Sequence, residues 1–174
     1  ASQPNFTYSD RRNDKLTKKR FGYKLLDSEI ACFSTHYLAW KLCVKLNQPI
    51  LVLEDNIDVS SMLSTQIVAL KKVSEKYHFI KLFAYFPCAF KKIAPINTNI
   101  FLVRYKKRIS GAQGYCLTPS ASKSFIANAT QFIEPVDDYM EKTYLHGIST
   151  YCVSPDLVKR AQLQSTIGSK RKDK

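Results

Sequence analysis

The chain has 174 residues, 45% hydrophobic and 12% aromatic, which is enough for one packed domain and too apolar for a disordered segment. No run approaches the roughly 18 apolar residues of a membrane span, and five cysteines without a CxxC pair exclude a disulfide framework or a zinc knuckle. Of the net charge of +13, the ends hold +10, since residues 1–24 carry seven Lys/Arg against two Asp and residues 159–174 carry six against one.

In chain order, residues 1–24 read as a basic, weakly patterned lead-in with a loop at residues 10–14 and a turn at Gly22. Asp27 or Ser28 is the expected cap of a helix over 28–46, with Glu29 at its positive end. Cys32, His36, Trp40 and Cys43 follow at spacings of four, four and three, one face of that helix. Trp40 reads as core, and His36 as a packed histidine before it is a ligand. Asn47-Gln48-Pro49 ends the helix, and Ile50-Leu51-Val52-Leu53 is a short buried strand. It runs into Glu54, Asp55, Asn56 and Asp58. Carboxylates beyond the carboxyl end of a buried strand lie where open α/β sheets bind ligands. Hard cations such as Mn²⁺ or Mg²⁺ favour such oxygen donors.

Ser60 or Ser61 opens a second amphipathic helix, and residues 79–84 form a second strand. Residues 86–98, with two prolines and no period, read as loop; residues 100–104 are a third strand, backed by the basic turn Lys106-Lys107-Arg108. Glycines at 111 and 114 precede a short strand, and Pro119 begins a third helix. Pro135 opens another helix through Tyr144, which Gly147 stops, and residues 148–153 are the last strand. Strands alternating with helices predict an α/β fold with a mainly parallel sheet. The expected organisation is one domain over residues 1–168 and a basic tail at 169–174.

Several of these segments together resemble glycosyltransferase family 25, the bacterial lipopolysaccharide and lipooligosaccharide transferases. Leu26-Asp27-Ser28-Glu29-Ile30-Ala31-Cys32-Phe33-Ser34-Thr35-His36 and Trp40 resemble the family's signature helix, with one extra residue between Ser34 and His36. Leu53-Glu54-Asp55-Asn56 resembles its Leu-Glu-Asp-Asp, with Asn56 replacing the last acid. Gly114-Tyr115-Cys116-Leu117-Thr118, Pro135-Val136-Asp137, Tyr151-Cys152-Val153-Ser154-Pro155 and Gln164-Ser165-Thr166-Ile167 resemble later family segments in the same order. The family's opening strand has no counterpart in residues 1–25, so either the chain starts after it or the donor site lacks it.

The resemblance implies a GT-A-like (Rossmann-like) fold. It also implies an inverting transfer of a hexose, galactose first, from a UDP-sugar to a lipopolysaccharide or lipooligosaccharide glycan. Glu54, Asp55 and Asn56 would bind the donor, and Asp137 would act as base. Mn²⁺ or Mg²⁺ would be held by Asp55, Asp58 and His146. The acceptor would be lipid-linked, and the basic ends would hold the protein peripherally at the anionic inner face of the cytoplasmic membrane. An inactive or truncated relative is the first alternative. The second is a basic nucleic-acid-binding module, which ten Tyr and ten Phe permit, although no RNP, KH or helix-turn-helix pattern is present.

Overall fold

A computed structural model of the chain describes residues 7–161. The basic tail and the 164–167 segment lie outside the described residues. The lead-in is structured where the sequence predicts loop. A short 3₁₀ turn at Ser9–Arg11 precedes helix α1 (Asp14–Phe21), which Asn13 caps by accepting from Leu16 N at 2.9 Å. Gly22 ends it at φ +79°, a left-handed conformation that glycine adopts without strain. Arg12 then binds this segment to the next helix through Asp14, Asp27 and the carbonyl of Leu25.

Helix α2 (Asp27–Leu46) begins one residue earlier than expected, with Leu26 at the cap position. Leucine has no acceptor to offer, and the cap is made in the reverse sense: the Leu26 N–H donates to Glu29 Oε2 at 2.8 Å. Strand β1 (Ile50–Leu53) follows, then β2 (Ile57–Val59), helix α3 (Met62–Tyr77) and β3 (Phe79–Lys81). Residues 90–95, expected as loop, form strand β4 (Phe90–Pro95) against β5 (Phe101–Tyr105). Its proline sits at the last position of an edge strand, where no ladder donor is missed. Strand β6 (Gly114–Leu117), helix α4 (Pro119–Asn128), the short helices α5 (Val136–Met140) and α6 (Thr143–His146), β7 (Tyr151–Ser154) and β8 (Val158–Arg160) complete the chain.

The main sheet has the order β1-β6-β3-β7-β5-β4. Only β3 and β7 pair in parallel; the other four ladders are antiparallel. The expectation of a mainly parallel sheet is therefore corrected. The crossover β1–α3–β3 does return the chain in one direction, because both strands run antiparallel to β6. Strand β6 then wedges between them, which the helix–strand alternation does not encode. Gly114 allows the fit, since a Cβ there would lie 3.1 Å from Val158 Cγ2 and 3.3 Å from Leu53 Cδ2. Strands β2 and β8 form a separate antiparallel ribbon.

Side chains alternate between two cores, as the period of two requires. Phe79, Tyr115 and Leu117 face α2 and α4, where Phe33, Trp40 and Phe125 are fully buried. Ile80, Cys116 and Val153 face α3 through Leu63 and Leu70. Among the described residues no helix is long and apolar enough to cross a membrane.

Candidate active-site cleft

The predicted face of α2 points where the sequence places it, and it does more than pack. Trp40 Nε1–H donates to Tyr115 Oη at 3.0 Å, and the same hydroxyl lies 2.8 Å from His36 Nδ1. Tyr115 is fully buried, so its own proton needs an acceptor, and the imidazole Nδ1 is the one at hand. The remaining proton of His36 is then on Nε2, which points at Glu54 Oε1 across 3.3 Å. Glu54 is held at the end of β1 by its own N–H, which donates to Gln113 O at 2.9 Å. A line of hydrogen bonds thus runs from the core indole to a carboxylate at the sheet edge.

Glu54 lines a cavity of about 560 Å³ together with Asn56, Cys32, Gln113, Asp137 and Arg160. Asp137 stands in the first turn of α5, and its Oδ2 accepts from Gly111 N at 2.9 Å. The loop that supplies this donor is fixed from beneath. The buried Lys81 Nζ donates to Ser110 O and to Glu141 Oε1, each at 2.5 Å, and Glu141 Oε2 accepts from Ile109 N at 2.9 Å. Gly111 lies at φ +79°, and a Cβ there would fall 2.3 Å from Gln113 Oε1. Glycine at 111 therefore frees both the turn and the glutamine.

The cavity lining holds the acids Glu29, Glu54 and Asp137 and also the aromatic and cationic side chains of Tyr85, Phe86 and Arg160. Burial, and after it the charges of Glu54, Asp137 and Glu29, push the Cys32 thiol up to about 12. In the same lining, Arg160 Nη1 donates to Tyr85 Oη at 3.0 Å, and the exposed Phe86 packs edge-on against Tyr85. Two side-chain oxygens in the lining, Asn56 Oδ1 and Gln113 Oε1, are buried with no hydrogen-bond partner among the described residues.

The sequence-predicted residues divide. Glu54, Asn56 and Asp137 meet in the cavity. Asp55 is exposed at the turn beside it, outside the lining. Asp58 is exposed on β2, opposite Lys159 of β8. His146 is not brought to either aspartate. It is buried against Phe125, its Nε2 faces Tyr139 O at 3.2 Å, and its Nδ1 accepts from Ile148 N at 3.2 Å. Burial holds its imidazole below its ordinary value, and both ring nitrogens are already engaged by the backbone. Instead, the three-residue cluster able to offer metal ligands among the described residues is Cys32, His36 and Glu54.

Cys32, Gln113, Tyr85 and Arg160 were not legible as site residues. Cys32 carries one signal, its four-residue spacing from His36 on the same helical face. Arg160 is masked by the charge run at its end of the chain, and Gln113 has no sequence signal. Residues 2–140 match the model of the family described as Glycosyltransferase family 25 (LPS biosynthesis protein), a span that holds Cys32, His36, Glu54, Asn56 and Asp137. No individual curated protein matches the chain.

Proposed function

Because the chain belongs to glycosyltransferase family 25, we propose that it moves a hexose, galactose first, from a UDP-sugar to a hydroxyl of a lipopolysaccharide or lipooligosaccharide glycan, with inversion, in a GT-A-like site. The observation that carries this reading is the meeting of Glu54 and Asn56, from the turn after β1, with Asp137 of α5 in one cavity. Asp137 is the base. Its Oδ2 is tethered to Gly111 N, which leaves Oδ1 to take the acceptor proton. The acceptor oxygen then attacks the anomeric carbon while the bond to the diphosphate oxygen breaks on the opposite face, and UDP leaves. Arg160 offers a guanidinium to the diphosphate, and Tyr85 and Phe86 offer ring faces to the nucleoside or sugar.

The lining fits a hard cation. Glu54 supplies a carboxylate, and Asn56 Oδ1 and Gln113 Oε1 are buried oxygens without a partner among the described residues. Glu54, Asn56 and Gln113, with Asp55 next to them, would hold Mn²⁺ or Mg²⁺ in place of the Asp58 and His146 expected from sequence. Bound there, such an ion would neutralise charge on the departing diphosphate.

The acceptor in this reading is lipid-linked, and the basic ends bring the protein to an anionic membrane surface. The test is a transfer assay with a panel of UDP-hexoses and Mn²⁺, paired with calorimetry of UDP binding. Transfer from one UDP-hexose, with UDP binding that requires the divalent cation, is the expected result. Absence of both, or salt-steep binding to any polynucleotide in their place, would overturn the reading.

A further inference from the structure

Cys32, His36 and Glu54 offer one sulfur, one nitrogen and one oxygen, and these ligating atoms all lie within 4.8 Å of one another. The set is built from rigid parts. Cys32 and His36 are four residues apart within α2, so their side chains stack on one face. Glu54 ends β1 and is pinned through its N–H to Gln113. His36 is braced from behind by Tyr115 Oη at 2.8 Å, which Trp40 anchors in turn, the kind of outer support that orients metal-binding imidazoles.

We infer that Cys32, His36 and Glu54 form a zinc site that opens into the cleft. Mixed thiolate, imidazole and carboxylate donors suit zinc and other borderline-soft ions, whereas Mg²⁺ prefers oxygen alone. Both Cys32 and Glu54 line the cavity, so an ion held by them would be reachable from it. On binding, a Zn–S bond forms as the Cys32 thiol proton goes to solvent. His36 moves its proton from Nε2 to Nδ1 and donates it to Tyr115 Oη, at the cost of the bond that the buried Tyr115 O–H gives to Nδ1 in the metal-free form, a loss that the new Zn–N bond has to exceed. Glu54 is shared with the hard-cation site proposed above, so zinc competes with Mn²⁺ there. That consequence rests on the transferase reading; zinc binding itself does not.

The experiment loads the full chain with Zn²⁺ by calorimetry and with Co²⁺ for spectroscopy. One Zn²⁺ per chain with release of protons is expected, and the cobalt form should show thiolate-to-metal charge-transfer absorption. Cys32→Ser should abolish that band and weaken Zn²⁺ binding by about tenfold or more. Cys88→Ser, at a cysteine outside the cavity lining, should change neither. In the unmodified chain Zn²⁺, but not Mg²⁺, should protect Cys32 from alkylation, a measurement that does not depend on a variant folding. A band that survives Cys32→Ser, or alkylation of Cys32 that zinc does not slow, overturns the site. Zn²⁺ should also inhibit Mn²⁺-supported transfer. If no transfer is found under any condition, the transferase reading fails while the cobalt band and the protection still decide the zinc site.

Discussion

The imidazole of His36 and the carboxylate of Glu54 meet at 3.3 Å, joining the middle of the signature helix to the end of the acidic strand. Behind that contact stand Tyr115 and Trp40, with no water-exposed member until Glu54 itself. Without a metal, this packed histidine holds a cleft carboxylate in place through its hydrogen bonds.

Tyr115→Phe tests that line. It removes only a hydroxyl, yet leaves the buried Trp40 N–H without its acceptor and His36 Nδ1 without its donor. The expected loss is about 1–3 kcal/mol in urea denaturation. Activity should fall together with stability, because Glu54 loses its fixed neighbour. Unchanged stability would show that the hydroxyl carries no bond that matters.

Asp137→Asn should keep the hydrogen bond from Gly111 N, since the amide oxygen still accepts, but remove the base. The expected fall in kcat is about 10²–10⁴-fold with UDP affinity little changed. A variant with full turnover would take the base away from Asp137.

The Lys81–Glu141 pair lies under the loop that positions Asp137, with side chains 3% and 4% exposed. Lys81→Met strands a buried carboxylate and should cost about 3–5 kcal/mol. Replacing both, with Lys81→Met and Glu141→Leu, should restore much of that loss while leaving activity low, because Ser110 O and Ile109 N lose their partners. Stability and activity recovering together in the double variant would separate the pair from the loop.

His146 predicts a pH dependence of definite sign. Burial lowers its folded value below 6.5, while the unfolded chain binds a proton at about that ordinary value. Its contribution to stability is thus fully present above pH 6.5 and is lost as pH falls through that value towards the lower folded one. Protonation at Nδ1 would also break the bond accepted from Ile148 N. Denaturation midpoints should drop on mild acidification in the natural chain and stay flatter in His146→Gln. Parallel pH profiles for the two would assign the titration elsewhere.

Deletion of residues 169–174 should weaken salt-sensitive binding to anionic vesicles, at about 1 kcal/mol for each basic residue near the surface. UDP binding with Mn²⁺ should be unaffected, since the cleft residues lie in other segments. Vesicle sedimentation at low and high salt decides this. Equal binding to neutral and anionic lipid would leave the tail without an electrostatic role.

Local chemistry determined much of this protein in advance. The α2 face with Cys32, His36 and Trp40, the short apolar β1 leading into acids, and the helix opened by Pro119 are written in near-neighbour patterns, so they follow from sequence; the helix expected from Pro135 through Tyr144 is instead broken into α5 and α6. So does the family, through motifs kept in order. Strand order does not. The placement of β6 between β1 and β3 depends on Gly114 meeting Val158 and Leu53, which are distant in the chain. Only the tertiary structure decided which acids converge. Glu54 and Asp137 share a cavity because β1 and α5 meet around the 109–113 loop. His146, although it sits beside a helix-ending glycine as a mobile ligand would, is drawn into the core by Phe125 and Tyr139. Burial is a property of the whole packing, and no spacing along the chain reports which polar side chain will be enclosed and which will be left facing a cleft.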